Sequence, residues 1–391
     1  MPVTLNSNPS GSSQSCTRGL CSNPSAACIE KTSRNLTIGL VNNMPDAALE
    51  ATERQFLALL DEASEGFSVQ LSLHCLPGIT RNEWATQHVK NLYTSVEDLW
   101  NKKLDGLIVT GREPLTPNLA DEPYWDGFTK TVDWARENTH ATVWSCLAAH
   151  AAVLYTDGIE RVRNGSKFSG IFDCEKLVDH PLIEGTPGQF NLPHSRWNGL
   201  REDALTASGY RVLTRAAADG AHTGSDAGVD TFVRQDKSLF VFFQGHPEYE
   251  PHTLLLEYRR DVGRFLKGET DVYPLMPRGY FGAETAAALT AIQHKTLAIR
   301  SETLLADLYR VLEDASIENS WQSTATCIYR NWLHCIRAEK KKQLQRAKEV
   351  AEELAGERLM PLAATSTDVP RPAAYSTGLG PAQPQLIRAI R

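Results

Sequence analysis

Cys146, His246 and Glu248 are the residues of this chain whose types and positions could perform nucleophilic chemistry. Cys146 stands between an apolar run, 141–144, and an alanine-rich segment, 147–154, a pattern that predicts a buried strand, a tight turn and a helix. At a helix N-terminus, backbone N–H groups and the positive end of the helix dipole favour the thiolate form of a cysteine. The position therefore predicts a reactive thiol.

A second apolar run, 240–243, leads into Gln-Gly-His-Pro-Glu, which places His246 and Glu248 at the end of a predicted strand. A nucleophile, a base and a carboxylate that orients the base are the components of a Cys-His-Glu triad. We interpret Cys146, His246 and Glu248 as such a triad. The pattern leaves open a simpler alternative, in which the cysteine is a buried packing residue and the other two form an ordinary loop pair.

Composition limits the classes of protein to which the chain can belong. It has 391 residues, 41% of them hydrophobic, and a net charge of -7, which argues against a nucleic-acid surface. No stretch reaches the roughly 20 apolar residues of a membrane span, and the polar segment 1–34 lacks the apolar core of a signal peptide. We therefore predict no nucleic-acid or membrane partner, and leave a homodimer open.

The eight cysteines are scattered and do not resemble a disulfide framework, which indicates a reducing, cytoplasmic location. Cys16, Cys21 and Cys28 fall in the polar leader, but no histidine or fourth cysteine lies close to them. Because the chain shows no paired Cys/His spacing typical of zinc, we predict no metal site. The remaining cysteines apart from Cys146 are interpreted as packing residues.

Predicted strands alternate with predicted helices along the first 270 residues or so. The strands are expected at 35–41, 69–76, 104–111, 142–144 and 240–243, and the helices at 49–63, 124–137 and 257–266. This alternation predicts an α/β fold, a mostly parallel sheet with helices on both faces. Sites in such sheets form at the carboxyl ends of strands, where Gly111, Cys146 and His246 are all placed. Further helices are expected over 283–314 and 321–355.

Several short motifs occur in one order along the chain and together resemble a known family. They are Asn43-Met44-Pro45, the segments 52–56 and 104–111, Cys146, Lys167-Phe168-Ser169-Gly170, Pro193-His194-Ser195-Arg196, the segments 245–249 and 257–261, and Asn331-Trp332-Leu333. Over about residues 36–336 the chain resembles the homoserine O-succinyltransferase/O-acetyltransferase family, a branch of the class I glutamine amidotransferase-like fold. The resemblance implies that fold with C-terminal helices added. Together with the polar composition of the first 34 residues and the Pro-, Ala- and Thr-rich composition of the last 35, it divides the chain into four regions: a disordered leader (1–34), an acyltransferase domain (35–336), a helix extension (337–356) and a flexible tail (357–391).

The resemblance implies a CoA-dependent O-acyltransferase of methionine biosynthesis. Cys146 would take the acyl group from succinyl-CoA or acetyl-CoA as a thioester, and the hydroxyl of homoserine would then accept it in a ping-pong reaction. His246 would act as the base and Glu248 would orient it. The acyl-CoA is a co-substrate, and no bound cofactor is implied.

The resemblance also assigns residues around the triad. Backbone N–H groups near Gly111 and Arg112 and at Leu147 would form the oxyanion hole. Arg260 would bind the carboxylate of the amino acid through its planar fork, and Lys167 and Ser195 would line the same pocket. Without the resemblance, Lys167 would be interpreted as a surface residue, and Arg260 as either a pocket or a surface residue.

The chain departs from the family pattern around the expected acyl-CoA entrance. His150 replaces the usual glutamine four residues after the cysteine, and we expect it to pack rather than to catalyse. Asp46 and Ala47 replace the usual lysines, and the loop after Gly111 begins with Arg112. Arg112 could pair with a succinyl carboxylate, which favours succinyl-CoA over acetyl-CoA as donor.

Three alternative functions remain: O-acylation of serine or another hydroxy amino acid, glutamine amide hydrolysis by the same triad, and a non-enzymatic relative.

Overall fold

The computed structural model describes residues 3–5, 25–217 and 228–358. Its strands, in chain order, are β1 (Val3–Leu5), β2 (Asn35–Val41), β3 (Ser68–His74), β4 (Gly106–Thr110), β5 (Ala141–Ser145), β6 (Val162–Lys176), β7 (Gln189–Gly199), β8 (Arg211–Val212), β9 (Thr214–Ala216), β10 (Thr231–Gln235) and β11 (Leu239–Phe243). Its α-helices are α1 (Ala26–Ser33), α2 (Leu49–Ala63), α3 (Glu83–Leu92), α4 (Val96–Trp100), α5 (Trp125–Asn138), α6 (Leu147–Asp157), α7 (Glu202–Ala207), α8 (Thr253–Leu266), α9 (Ala283–Ala298), α10 (Leu304–Glu313) and α11 (Gln322–Arg358).

The larger sheet has eight strands in the order β1-β3-β2-β4-β5-β11-β10-β8. The first six pair in parallel, and β10 and β8 extend the sheet in antiparallel fashion. The predicted mostly parallel α/β sheet is therefore confirmed. The strand predicted at 35–41 and the helix predicted at 49–63 coincide with β2 and α2, and the other predicted elements of this region differ by a few residues at their ends.

Helices cover both faces of this sheet, as predicted. One face packs against α2 and α11 and contains Val241 and Phe243 of β11. The opposite face packs against α5 and α6 and contains Phe240 and Phe242 of the same strand. Because successive side chains of a strand point to opposite faces, burial of both faces requires a continuous apolar sequence in the central strands.

A smaller antiparallel sheet, in the order β7-β6-β9, packs against helices α8, α9 and α10 around a separate apolar cluster. The region 283–314, predicted to be helical, contains α9 and α10 with a break between them. At the break, the Ser301 hydroxyl accepts a hydrogen bond from the backbone N–H of Thr303. Such local side-chain bonds compete with helical hydrogen bonds and account for the interruption.

Two parts of residues 1–34, the segment expected to be a disordered leader, form elements of the fold. Strand β1 pairs in parallel with β3, with Val3 buried in the core. Helix α1 begins at Ser25, whose hydroxyl accepts from the N–H of Cys28, and it buries Ile29 against the body of the protein. A capped helix with one apolar contact is too short a pattern to stand out in a polar segment. The other leader residues lie outside the described residues.

Helix α11 runs without interruption from Gln322 to Arg358, across the expected boundary between 336 and 337. Its first half buries Trp332 and Ile336 against the sheet. Beyond that point, the Lys340 ammonium lies 2.7 Å from a carboxylate oxygen of Asp105. The expected tail, 357–391, lies outside the described residues except for the last two residues of α11. Among the described helices, none has both the length and the apolar character needed to cross a bilayer.

Strands β4, β5 and β11 are neighbours in the sheet, and their carboxyl ends carry the predicted site. Thr110 pairs with Ser145, and Ser145 pairs with Phe243. The residues that follow these three strand ends therefore meet at one edge of the sheet. This register brings the segments beginning at Gly111, Cys146 and Gln244 together.

Candidate active site

Cys146 occupies a strained elbow between β5 and α6. Its φ is 51°, and among the described residues no other non-glycine residue has a positive φ. The backbone N–H of Cys146 donates to the carbonyl of Phe243 at 2.7 Å, which fixes the turn against the end of β11. Backbone conformations of this kind cost about 1–3 kcal/mol each and concentrate at functional sites. The elbow presents the half-buried thiol at the N-terminus of α6.

His246 links the thiol to Glu248. The Nδ1 atom of His246 lies 2.9 Å from a carboxylate oxygen of Glu248, and the Ser145 hydroxyl donates to the same oxygen at 3.1 Å. Burial acts to lower the pKa of His246, but the charges of Cys146 and Glu248 and hydrogen bonds to both raise that pKa well above its usual value. The structure thus brings the three predicted residues into one line of contacts, with the imidazole in the middle.

The predicted oxyanion residues lie beside the elbow. A Cβ on Gly111 would stand 2.5 Å from the Cβ of Leu147 and 2.7 Å from the backbone nitrogen of Ala148, so only glycine allows the loop after β4 to approach α6. Within the described residues, the backbone N–H groups of Arg112 and Leu147 donate to no acceptor. Two free amides near a nucleophile can stabilise the negative oxygen of a tetrahedral intermediate.

The loop that carries His246 is held on two sides. The backbone N–H of His246 donates to the carbonyl of Pro193 at 2.8 Å, and that of Gln244 donates to the carbonyl of Asp230 at 2.9 Å. Between them, a Cβ on Gly245 would stand 2.8 Å from Asp230 Oδ1 and 3.0 Å from His194 Nε2. The base is therefore positioned by close contact with β7 and with the segment before β10.

Beneath this loop, Cys174, His194 and Asp230 bring potential metal ligands within 4.8 Å of one another, all of them buried. The Asp230 Oδ2 atom already accepts hydrogen bonds from the hydroxyls of Thr214 and Thr231, and its Oδ1 lies 3.3 Å from His194 Nε2. Burial lowers the pKa of His194. We interpret the cluster as a buried support for Gly245; its members are too far apart in sequence to form a spacing pattern.

Lys167 and Ser195 meet next to the triad, around a carboxylate that the sequence analysis did not assign. The Ser195 hydroxyl and the Lys167 ammonium both donate to Glu257, the latter at 3.4 Å. The Tyr249 hydroxyl donates to the same carboxylate at 2.7 Å, while its ring stacks on His246 with the ring centres 4.1 Å apart. Glu257 and Tyr249 both belong to motifs that carry the family resemblance. Their position beside Ser195 depends on the packing of β7 against α8, which the sequence does not show.

Arg260 lies at the rim of this cluster. Its side chain is 47% exposed, and its Nε donates to Asp261 at 2.8 Å. The other oxygen of Asp261 lies 2.9 Å from the Lys167 ammonium, so the two cations share one carboxylate. Arg260 is thus near the pocket, and its guanidinium remains accessible to a ligand.

His150 is a buried structural histidine. Its Nε2 lies 2.9 Å from the side-chain oxygen of Gln244, which also accepts from the backbone N–H of Leu200. Burial lowers the pKa of His150 to about 3, so the ring is neutral and its Nε2–H is the donor. The expectation that His150 packs rather than catalyses agrees with this position.

Replacement of His150 by glutamine is expected to change the pH dependence of stability and not that of activity. In the unfolded chain this ring binds a proton near pH 6.5, whereas in the folded protein it does so only near pH 3. The free energy of unfolding therefore decreases as the pH falls through that window. Glutamine can keep the donor to Gln244 without titrating. Between about pH 7 and pH 5, the variant should lose less free energy of unfolding than the wild type, as measured by urea denaturation.

Exposed His294 offers a matched control, because His294→Gln should retain the wild-type pH dependence of unfolding. An altered pH profile of kcat/KM in His150→Gln would contradict the structural role and would point to proton transfer by this ring.

The fold and the site define an α/β protein with a cysteine elbow and a histidine–glutamate pair at the carboxyl edge of a mostly parallel sheet. The chain belongs to the homoserine O-succinyltransferase family, whose model matches residues 19–342. The chain is therefore an acyltransferase.

Individual relatives agree with this assignment. The chain is 46% identical to a homoserine O-succinyltransferase of Rhodopseudomonas palustris, over 78% of this chain and 90% of the relative. It is also 46% identical to one of Bradyrhizobium japonicum, over 76% and 89% of the two chains. Among solved structures, a glutamine amidotransferase of Methylobacillus flagellatus matches with a TM-score of 0.41 and 14% identity, over 77% and 95% of the two chains.

Proposed function

We propose that this acyltransferase moves a succinyl group from succinyl-CoA to the hydroxyl of homoserine, in methionine biosynthesis, through a thioester on Cys146. The observation that carries the proposal is the contact line from Cys146 through His246 to Glu248, beside the free amides of Arg112 and Leu147. The named activity of the 46%-identical relatives supports the choice of substrates. We place the reaction in the cytoplasm, where thiols stay reduced.

In the first half-reaction, the Cys146 thiolate attacks the carbonyl carbon of the acyl-CoA thioester. The carbonyl oxygen becomes negative and is stabilised by the amides of Arg112 and Leu147. When the intermediate collapses, the carbon–sulfur bond to CoA breaks, and the His246 imidazolium gives its proton to the departing CoA sulfur. The products are free CoA and an acyl-cysteine.

In the second half-reaction, the neutral His246 imidazole removes the proton from the hydroxyl of the amino acid. The oxygen attacks the acyl carbon, the bond to the Cys146 sulfur breaks, and the ester leaves with the thiolate and imidazolium restored. Glu248 accepts from Nδ1 throughout, which keeps Nε2 directed toward the reacting atoms and stabilises the positive ring.

The polar cluster beside the triad has charges of both signs, as an amino-acid zwitterion requires. Lys167 and Arg260 offer cations for the carboxylate, and Glu257 and Asp261 offer carboxylates for the ammonium group. Ser195 donates to Glu257 and completes this surface. Homoserine fits the proposal because its hydroxyl lies at the end of a short chain, away from both charged groups.

The loop after β4 supports succinyl-CoA as the donor. Arg112 follows Gly111 directly and can pair with the carboxylate of a succinyl group. The carboxylate of Glu113, which could repel that group, lies 3.7 Å from a guanidinium nitrogen of Arg264 on α8. The nearby anion is thereby partly compensated, which leaves Arg112 as the charge that acts on the donor.

Incubation with one acyl-CoA ester alone, followed by intact-mass measurement, tests this proposal. Succinyl-CoA should add one succinyl group to the wild type and none to Cys146→Ala, while acetyl-CoA should react much more slowly. Arg112→Ala should reduce the preference for succinyl-CoA. Release of ammonia from glutamine without any acyl adduct would instead support amide hydrolysis, and preferential acetylation would refute the choice of donor.

Arg260→Lys is expected to raise the KM for homoserine about tenfold, with little change in the rate of acyl-enzyme formation. Lysine keeps the charge but loses the planar fork that holds a carboxylate through two hydrogen bonds. Steady-state kinetics with homoserine varied, together with single-turnover acylation by succinyl-CoA, separates the two steps. Arg259→Lys, on the exposed neighbouring position, is the matched control and should leave both unchanged. Slowed acylation in Arg260→Lys would contradict the acceptor role.

A further inference from the structure

A group of arginines lies on the loop that follows β4 and at the start of β6. Arg112, Arg161 and Arg163 each lack an ion pair within 4 Å among the described residues, in a chain whose net charge is -7. Most other arginines that the structure describes, including Arg215 and Arg234, pair with a carboxylate. Uncompensated cations grouped at one place indicate a surface for an anion.

Arg161 is fixed against the loop that leaves the active site. Its Nη2 donates to the carbonyl of Pro117 at 3.0 Å. The loop in turn is held by the buried carboxylate of Glu122, which accepts from the backbone N–H of Leu115 at 2.6 Å and of Thr116 at 2.8 Å. The charge of Glu122 also acts on Arg161, but among the described residues no ion pair within 4 Å joins the two side chains.

Electrostatic effects connect the three arginines in pairs, Arg112 with Arg161 and Arg161 with Arg163. Burial raises the pKa of Tyr124 to about 12, while the charges of Arg112 and Arg161 both act to lower that pKa, which places both guanidinium groups near the phenol. Burial lowers the pKa of Arg161, and the charge of Arg163 acts in the same direction. The three arginines therefore lie in one positive surface, with the buried carboxylate of Glu122 near Arg161 and exposed Glu160 at its edge.

An exposed indole adjoins this surface. The guanidinium of Arg163 lies over the ring of Trp197 at 4.2 Å, and Trp197 is 44% exposed. Trp197 comes two residues after Ser195 in β7, so both side chains leave the strand on the same face, about 7 Å apart along it. The arginine–indole surface is thus continuous with the pocket beside the triad.

We propose that Arg161, Arg163 and Trp197 bind the nucleotide half of the acyl-CoA donor, the guanidinium groups holding its phosphates and the indole stacking on its adenine. Coenzyme A carries a pyrophosphate, a ribose phosphate and an aromatic base at the end remote from its thioester, and these groups match cations beside an exposed ring. The loop 112–117 begins beside the elbow and reaches Arg161. Its exposed Leu115 is available to the apolar parts of the pantetheine arm. This inference rests on the proposed CoA-dependent function.

A truncated donor tests the assignment. S-succinylpantetheine carries the same thioester as succinyl-CoA but has no nucleotide. Arg163→Ala and Trp197→Ala should each raise the KM for succinyl-CoA about tenfold, the size expected for one charge-assisted or stacking contact, and leave kcat unchanged. Neither variant should alter kcat/KM for S-succinylpantetheine. Lys130→Ala is the matched control, because it removes a cation placed 3.8 Å over the ring of Trp100 elsewhere on the surface.

Equal losses with the two donors, or no loss with either, would overturn the inference. If the wild type transfers no acyl group from either donor, the proposed function fails, and calorimetric titration with free coenzyme A then decides the inference separately. Binding that weakens about tenfold in Arg163→Ala and falls with added salt would support it. Absent binding, or binding of equal strength in wild type and variant, would refute it.

Discussion

Replacement of Cys146 by alanine should abolish acyl transfer while leaving the folded protein intact. The thiol is the only group of the protein that forms a bond to the acyl carbon in the proposed reaction, so its loss removes the pathway, and kcat should fall by a factor of about 10⁴ or more. Alanine keeps the Cβ, and the φ of 51° at the elbow is already adopted by a non-glycine residue, so the substitution adds no backbone strain. Initial rates of CoA release with homoserine, and intact mass after exposure to succinyl-CoA, measure the loss.

A second cysteine provides the control for this variant. Cys327 is partly buried on α11, where its thiol donates to the carbonyl of Glu184, and Cys327→Ser can keep that bond. Its activity should remain within about twofold of the wild type, since surface substitutions of this kind change little. A Cys146→Ala protein that transferred acyl groups at a near-wild-type rate would show that the thioester mechanism is wrong.

His246→Gln should lower kcat by about 10³-fold or more, because both half-reactions lose their proton carrier. Glu248→Gln should lower kcat by a smaller factor, since the base remains and only its orientation and charge stabilisation are weakened. The two variants should also differ in pH dependence. The carboxylate of Glu248 helps to raise the pKa of His246, so its removal should move the ionisation of His246 seen in the kcat/KM profile to lower pH.

Residues two to six positions further along serve as controls for this pair. Glu250 pairs with Arg54 at 2.8 Å and His252 is exposed before α8, so Glu250→Gln and His252→Gln should retain most of the activity. Small losses of equal size in His246→Gln and Glu248→Gln would refute the triad. An unshifted pH profile in Glu248→Gln would refute the electrostatic part of its role.

The central sheet was predictable because its strands are buried on both faces. Continuous apolar runs such as 240–243 admit few other structures, and the fifteen residues of α2 show an uninterrupted helical period. The positions of Cys146, His246 and Glu248 followed from these elements, because the carboxyl ends of neighbouring parallel strands must meet. Whether the three residues catalyse acyl transfer stays a prediction.

Other features depend on contacts that no local pattern reveals. Glu257 receives hydrogen bonds from Lys167, Ser195 and Tyr249, which come from three separate segments and meet only after β7 packs beside α8. The order of α1 depends on the burial of Ile29 in the folded protein, since eight residues form a marginal helix by themselves. Sequence periodicity describes the face that an element buries, but not the partner that covers it.

The long helix α11 has a consequence for how the protein is made. Its residues Trp332 and Ile336 complete the core on one face of the sheet, and Lys340 bonds to Asp105, 235 residues earlier in the chain. At roughly 5–20 residues per second, the ribosome needs about 10 to 50 s to synthesise that interval. Throughout it, the part of this sheet face that α11 covers in the folded protein stays exposed, although α2 is already present. Because the helix that completes the core comes late in the sequence, we expect chaperones to bind the nascent chain during translation. We also expect truncated products that end before residue 322 to be insoluble.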